Sequence, residues 1–481
     1  MSFLDKNAGI YTDHYELSMS QGYFLNGRSE TPATFDYFFR KNPFSGGFVV
    51  FAGLQDLLDT LENLHFDEES LRYLASIGFH DNFIDYLSDF RFTGDIYAPP
   101  EGELVFPHEP VVRIDGNLIE AQILETLVLN ILNFESLIAT KTARMRMVCG
   151  ERMLIDFGMR RAQGLGAVHA SRAAMLGGAD STSNVYSGFS FGLPTSGTMA
   201  HSWVQSYEDE LTAFRRFSEA FPQKCILLVD TYDTLGMGVP NAITVAREME
   251  DRGQKLMGIR LDSGDLAYFS KQARKMLDDA GLEYVQIVAS NQLDEYVIRS
   301  LNEQQAPIDA FGVGTRLITG RPDAALDGVY KLSHCDGKPS LKISENVEKV
   351  ILPGPKKIYR YFDENNMMYA DGICLQDEEV LETMHHPHQP GKSSQVGRYR
   401  REELHQKVMS GGQVLVEKKP YQEVAAYLKS RLQSLPEEHQ RFDNPHIYKV
   451  GISESLRHLR DELLKEKKQQ VEKTRHAYDK S

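Results

Sequence analysis

The sequence predicts an α/β protein whose central part is a barrel of parallel strands, and three observations predict it. First, a short β-prone run recurs from about Leu154 to Leu332, each run ending in a polar or Gly-rich cluster. Helical stretches such as Asp209–Ala220, Ala242–Asp251 and Ala267–Ala280 lie between most of these runs. Strand–helix alternation at this spacing is the pattern of a parallel α/β unit. About seven or eight units fit, a little short of a full barrel. Second, no Gly-x-Gly-x-x-Gly opens the first unit, as it would in many open doubly wound sheets, the alternative architecture. Third, chemistry-bearing residues follow nearly every strand, and a barrel brings the loops of all its strands to one mouth.

The elements follow in order. Thr34–Phe39 and Gly47–Phe51 are aromatic and β-branched and read as strands around a turn at Asn42–Gly47. Leu54, Leu57, Leu58 and Leu61 form a helical stripe in Leu54–Leu64. Val105–Ile114 reads as extended, and Ile119–Val148 as a helix too apolar for a surface position. The barrel runs are Leu154–Phe157, Gly178–Asn184, Pro194–Thr198, Ile226–Val229, Met257–Leu261, Val285–Ala289 and Ala310–Val313. Beyond Leu332, Tyr359–Phe362 and Tyr369–Leu375 suggest strands, Tyr421–Leu432 a helix, and Arg457–Arg475 a solvated helix with charges of both signs.

Composition bounds the function. A chain of 481 residues, 41% hydrophobic and 25% charged, is expected to form two or three soluble domains. Its net charge of −15 disfavours nucleic acid and anionic membranes as partners. An anionic ligand would then need locally placed Arg, Lys and backbone N–H groups. The cysteines Cys149, Cys225, Cys335 and Cys374 lie far apart, which argues against a zinc site and a disulfide framework. Met1–Gly9 carries no apolar signal region and no run of 18 apolar residues occurs, so a cytoplasmic protein is expected.

The clusters after the strands carry the chemistry. In Asp156–Gly164, Arg160 and Arg161 are adjacent and suit an oxyanion. Ser196–Ser202 leads a small-residue turn into His201. Asp230 and Asp233, then Asp262 and Asp265 beside Arg260, supply paired carboxylates that suit Mg²⁺ or ribose hydroxyls. Asp265 before Leu266 also fits a helix N-cap. Ser290-Asn291 and Gly312–Thr315 have the character of late-strand phosphate cradles. Gly188–Gly192 has Gly-x-Ser-x-Gly spacing, but Leu193-Pro194 follows at once, so a nucleophile elbow is not expected. His385, His386 and His388 look metal-like, yet Pro387 and Pro390 favour an irregular surface loop. There is no P-loop, so any ATP is held otherwise.

Taken together these stretches resemble nicotinate phosphoribosyltransferase. The resemblance rests on Tyr11–Leu17, Arg40 with Pro43-Phe44 and Gly46-Gly47, Leu129–Phe134, Asp156–Gly164, Gly197–Ser202, Val229–Asp233, Ile259–Asp265 and Phe311–Thr315. It spans about residues 11 to 332 and is loose beyond about 350, with His14 a departure from the usual Leu. It implies an irregular barrel (146–345) and an α/β sandwich domain from residues 1–145 and 346–481, the latter with a helical tail. The implied reaction joins nicotinate to 5-phosphoribosyl 1-diphosphate, giving nicotinate mononucleotide and diphosphate, as a step of NAD salvage. The family couples it to ATP hydrolysis through a phosphohistidine, which places it in the ligase class, and forms homodimers with shared active sites. By resemblance, His201 is that histidine, Tyr15, Thr198 and Arg260 contact nicotinate, and Thr315 with Gly314 holds the 5-phosphate. By position and chemistry, Arg160 and Arg161 serve diphosphate or carboxylate, while Asp262 and Asp265 serve ribose hydroxyls or Mg²⁺, with Asp262 as the metal ligand. Rival readings are a related pyridine transferase using nicotinamide or quinolinate, and a non-catalytic sensor that kept the barrel.

Overall fold

In a computed structural model, residues 8–342, 351–379, 381–389 and 391–478 are described. The chain divides into two compact units: one comprises Ile138–Ala324, the other Met1–Leu137 with Ala325–Ser481.

The unit Ile138–Ala324 is a parallel sheet wrapped by helices. Its strands are β1 (Met153–Asp156), β2 (Ser181–Thr182), β3 (Ile226–Leu228), β4 (Gly258–Leu261), β5 (Gln286–Ser290) and β6 (Ala310–Val313). They are ordered β2-β1-β6-β5-β4-β3, with every neighbouring pair parallel. A further parallel bridge joins Thr182 to Thr195 beyond β2. The decisive pairing is β1 with β6, first strand against last. An open doubly wound sheet reverses direction at a switch point, whereas here the order is cyclic, as in a barrel. Among the described residues the ladder is open at one seam, between Thr195 and β3, so the barrel is irregular. The chain crossing that seam carries the short helix His201–Gln205.

Amphipathic helices cover this sheet. Asp209 caps Glu210–Ala220 by accepting from Thr212 N, and Ala213, Phe214 and Phe217 face inward. Val239–Asp251, which starts without a side-chain cap, and Leu266–Asp279, capped by Asp265, follow β3 and β4 and also bury one apolar face. The expected strand at Gly178–Asn184 shortens to two residues, because Asn184 already caps the helix Val185–Phe191. That helix contains Ser190 and ends at Gly192 with φ 65°, so the Gly-x-Ser-x-Gly run is a helix and its C-cap rather than an elbow. Pro194–Thr198, read as a strand, makes only the Thr195 bridge. Buried between helices, Glu295 takes Lys141 at 2.6 Å and Arg144 at 3.0 Å, so its charge is compensated twice.

The other unit has two larger sheets. Pro32–Phe39 pairs antiparallel with Gly328–Cys335 on one side and Val112–Asn117 on the other, within a seven-stranded sheet. The second sheet gathers strands from Lys356 to Ile452. The expected helix Ile119–Val148 is divided at Leu124 into Leu118–Ile123 and Glu125–Cys149, and the extended run Gly47–Phe51 keeps only Val49–Val50 as strand. Leu57, Leu58, Ile96, Ile114, Ile119 and Leu132 are fully buried in one apolar core. The tail forms the helix Glu454–Tyr478. The segment His385–His388, expected at the surface, is half-buried, and Thr383–His385 is a strand pairing with Ser393–Gln395. Two expectations, Pro390 in that loop and the boundary near residue 345, lie outside the described residues. No helix of the described residues is long and apolar enough to cross a membrane.

Candidate active site

Within Ile138–Ala324, residues at the C-terminal ends of the parallel strands enclose a pocket of about 440 Å³. Phe157, Arg160 and Arg161 follow β1, and Ser183 follows β2. Arg260 and Asp262 come from β4, Ser290, Asn291 and Gln292 from β5, and Gly312, Gly314 and Thr315 from β6. Gly197, Thr198 and His201 enter from the open seam. A barrel gathers its loops this way, because parallel strands all end on one face.

Arg260 organises the floor. Its Nε donates to Ser290 Oγ at 2.8 Å, Nη1 to Thr198 Oγ1 at 3.1 Å and Met199 O at 3.5 Å, and Nη2 to Asp262 Oδ1 at 2.7 Å. The guanidinium also lies over the Phe157 ring, 5.3 Å from its centroid. Of its five N–H groups, one on Nη2 is left for a ligand. Ser290 also bonds Asp262 Oδ1 through its hydroxyl. Asp230 Oδ2 then accepts from Asp262 N at 2.8 Å and Ser263 Oγ at 2.6 Å, which fixes the loop after β4.

His201 stands beside this carboxylate. Its Nδ1 is 3.1 Å from Thr231 Oγ1, and its Nε2 is 4.0 Å from Asp262 Oδ2. Thr231 therefore occupies one ring nitrogen and leaves the other facing the pocket. The guanidinium groups of Arg160 and Arg161 are exposed on the one-turn helix Met159–Arg161 and have no acceptor among the described residues. With Arg260 they give the pocket three cations against the single anion Asp262.

Asp156 sets the base of the Arg160-Arg161 turn. It is fully buried and accepts from Gly158 N at 2.8 Å, Ser171 Oγ at 2.8 Å and Thr182 Oγ1 at 2.7 Å. Burial raises its pKa above the ordinary carboxylate value, and these bonds oppose the rise. After β5, Asn291 and Gln292 both hold positive φ, 80° and 50°, a strained pair at the pocket wall. Gly312 is required for close approach: a Cβ there would lie 2.4 Å from the Phe157 ring.

Of the residues singled out in the sequence, Arg160, Arg161, Thr198, His201, Arg260, Asp262, Ser290, Asn291, Gly314 and Thr315 line this pocket together. Asp265 does not; its carboxylate accepts from Tyr268 N at 3.0 Å and caps Leu266–Asp279. Tyr15 lies in the other unit on the helix His14–Leu25, 44% exposed, with its pKa raised by burial and by nearby Glu125 and Glu16. Phe157, Ser183, Thr231 and Gln292 were not singled out. Phe157 and Thr231 sit inside clusters whose charged members carry the sequence signal.

Family models for the N-terminal domain, the family core and the C-terminal domain of nicotinate phosphoribosyltransferase match residues 10–133, 153–391 and 355–460. The chain belongs to the nicotinate phosphoribosyltransferase family. It is 43% identical to nicotinate phosphoribosyltransferase of Bacillus subtilis over 98% of both chains. It is 32% identical to the human protein of that name, over 94% of this chain and 96% of the other. The crystal structure of human nicotinic acid phosphoribosyltransferase superposes with a TM-score of 0.85 at 30% identity, covering 94% of this chain and 99% of that one. A nicotinate-nucleotide pyrophosphorylase from Pyrococcus furiosus shares the fold, with a TM-score of 0.70 at 23% identity and 90% and 96% coverage. The C-terminal match, residues 355–460, lies where the sequence resemblance was loose.

Proposed function

We propose that this pocket joins nicotinate to 5-phosphoribosyl 1-diphosphate, releasing nicotinate mononucleotide and diphosphate, and couples the transfer to ATP hydrolysis through phosphorylation of His201. One observation carries the reading: Arg160, Arg161, His201, Arg260 and Thr315, separated by up to 155 residues in sequence, line a single pocket at the ends of parallel strands.

The chemistry follows from charge. As the C1–oxygen bond to diphosphate breaks, positive charge grows on the ribose ring and negative charge on the leaving oxygens. Arg160 and Arg161, without acceptors of their own, are the groups for the leaving diphosphate. The helix start at Thr315, after Gly314, presents N–H and hydroxyl groups to the 5-phosphate. Ser290 and Asn291 extend that wall. The last Nη2 hydrogen of Arg260 and the Thr198 hydroxyl are for the nicotinate carboxylate, and Tyr15 stacks on the pyridine ring in a homodimer with shared sites. The excess of cations favours nicotinate over neutral nicotinamide.

Two carboxylate oxygens fit a hard cation. Among the described residues Asp262 Oδ2 accepts no hydrogen bond, with His201 Nε2 4.0 Å away, and Asp230 Oδ1 is buried without a hydrogen-bond partner. Asp262, with Asp230, would hold Mg²⁺, which neutralises phosphate charge when bound. Asp265 caps its helix and does not line the pocket, so it meets the ribose only if the start of that helix shifts. The same reading makes the protein cytoplasmic.

Diphosphate release from nicotinate and phosphoribosyl diphosphate, measured with and without ATP, tests the proposal. Nicotinamide and quinolinate serve as competing substrates. Turnover with quinolinate alone overturns it.

A further inference from the structure

The unit formed by Met1–Leu137 and Ala325–Ser481 contains its own cavity, of about 210 Å³. Its walls are apolar at Phe38, Pro110, Ile351, Leu352 and Leu464. Its rim is cationic. Among the ionisable liners, Lys356 is neutralised by Asp36 at 2.7 Å and also donates to Leu352 O at 2.9 Å. Arg460 is held by Asp461 at 2.8 Å and by Pro387 O at 2.5 Å. Lys331 reaches Glu125 at 3.4 Å.

Three donors are left over. Lys392 has no acceptor among the described residues and lines the cavity. Arg457 donates from Nη2 to Glu454 at 2.5 Å, but its Nε is buried without a partner. His386 is fixed by its other nitrogen: Nδ1 accepts from His388 N at 3.0 Å and from Gln389 N at 3.0 Å. The neutral ring must therefore carry its proton on Nε2, as a donor held in one orientation. Burial and the charge of Lys392 keep this ring below its ordinary pKa, in agreement with the neutral form. On a chain with net charge −15, the exposed ammonium of Lys392, the His386 Nε2 donor and the buried Nε of Arg457, all on residues that line one cavity, are a feature to be explained.

We infer that this cavity is a second ligand site, for a small organic carboxylate with an apolar body, its carboxylate held by Lys392, His386 Nε2 and Arg457 Nε. The apolar walls favour a monoanion with a ring or branched chain over inorganic phosphate, whose several charged oxygens need polar partners on every side. The site is separate from the Arg260 pocket in every residue that lines it.

Titration of the full-length protein with 4-fluorobenzoate, followed by fluorine NMR, tests this. Arg260→Ala removes the carboxylate contact proposed at the transferase pocket, so binding that persists in that variant belongs elsewhere. In the Arg260→Ala background, Lys392→Glu is expected to weaken the remaining binding about tenfold, and Lys392→Arg to keep it within about twofold. Arg457→Gln is expected to act in the same direction as Lys392→Glu. Loss of all fluorobenzoate binding in Arg260→Ala overturns the second site while leaving the transferase reading intact. Unchanged affinity in Lys392→Glu overturns it as well, and displacement of fluorobenzoate by equimolar inorganic phosphate overturns the ligand class.

Discussion

Arg260 and Asp262 are bonded to each other at 2.7 Å, and each is also held from a third element, Ser290 on the neighbouring strand. The pair is thus fixed before any ligand arrives. Only one guanidinium N–H remains to meet a nicotinate carboxylate, so the contact is a single charge-assisted bond, worth about 1.5–3 kcal/mol. Arg260→Ala is expected to weaken nicotinate binding about 10- to 100-fold and phosphoribosyl diphosphate binding far less. Arg260→Lys should rescue little, because one ammonium cannot reach Ser290, Thr198 and Asp262 at once. Calorimetric titration of each substrate checks this; equal losses for both would reject the assignment.

His201 has Nδ1 beside Thr231 and Nε2 toward Asp262, in a pocket with a net cationic lining. A phosphate on this ring brings about two negative charges to that lining. Incubation with ATP is expected to place an acid-labile phosphate on His201. The His201→Asn variant should keep weak turnover that no longer responds to ATP. Label retained on the Asn variant would locate the phosphate elsewhere.

The strand ends were legible in the sequence because each β-prone run stops at a cluster of Gly, Asp, Ser or Arg, and these residues converge as the barrel expectation requires. Local pattern carried less where partners are distant. Nothing in Pro32–Phe39 announces that it pairs with Gly328–Cys335, nearly three hundred residues away. The role of Thr231 was hidden between Asp230 and Asp233, since its partner His201 lies across the seam. The prolines around His385–His388 favour a surface loop on sequence alone. In the structure, Arg460 on the tail helix holds Pro387 O, a tertiary contact that propensity cannot foresee.

Gly312 and Phe157 make a second test of the Arg260 floor. A methyl group at Gly312 would press into the ring on which the guanidinium rests. Overpacking of this kind costs about 1–3 kcal/mol. Gly312→Ala is expected to lower Tm by a few degrees and to raise the KM for nicotinate more than it lowers kcat. A fall in Tm with unchanged KM would show that Phe157 does not position Arg260.

Asp156 carries the turn that presents Arg160 and Arg161. Asp156→Ala leaves the donors of Gly158, Ser171 and Thr182 buried without their acceptor, at about 1–3 kcal/mol for each unsatisfied group. The expected result is a large fall in thermal stability, with Asp156→Asn falling less because one amide oxygen still accepts. If Asp156→Ala melts with the wild type, the turn does not depend on this carboxylate.

His405 gives the other unit a pH dependence of known sign. The ring is buried, donates from Nε2 to Pro110 O at 2.7 Å, and has its pKa pushed down to about 4 by burial and by Arg113. The unfolded chain binds a proton at about pH 6.5, so between these values the unfolded state holds more protons than the folded one. Stability from the neutral ring is therefore fully present above about pH 6.5 and is lost as the pH falls toward 4, with about 2 kcal/mol gone by pH 5. His405→Gln cannot take up this proton. Urea unfolding at pH 7 and pH 5 should show a larger loss for the wild type than for the variant. Equal losses in the two proteins would mean that the ring is already protonated, or solvated, in the fold.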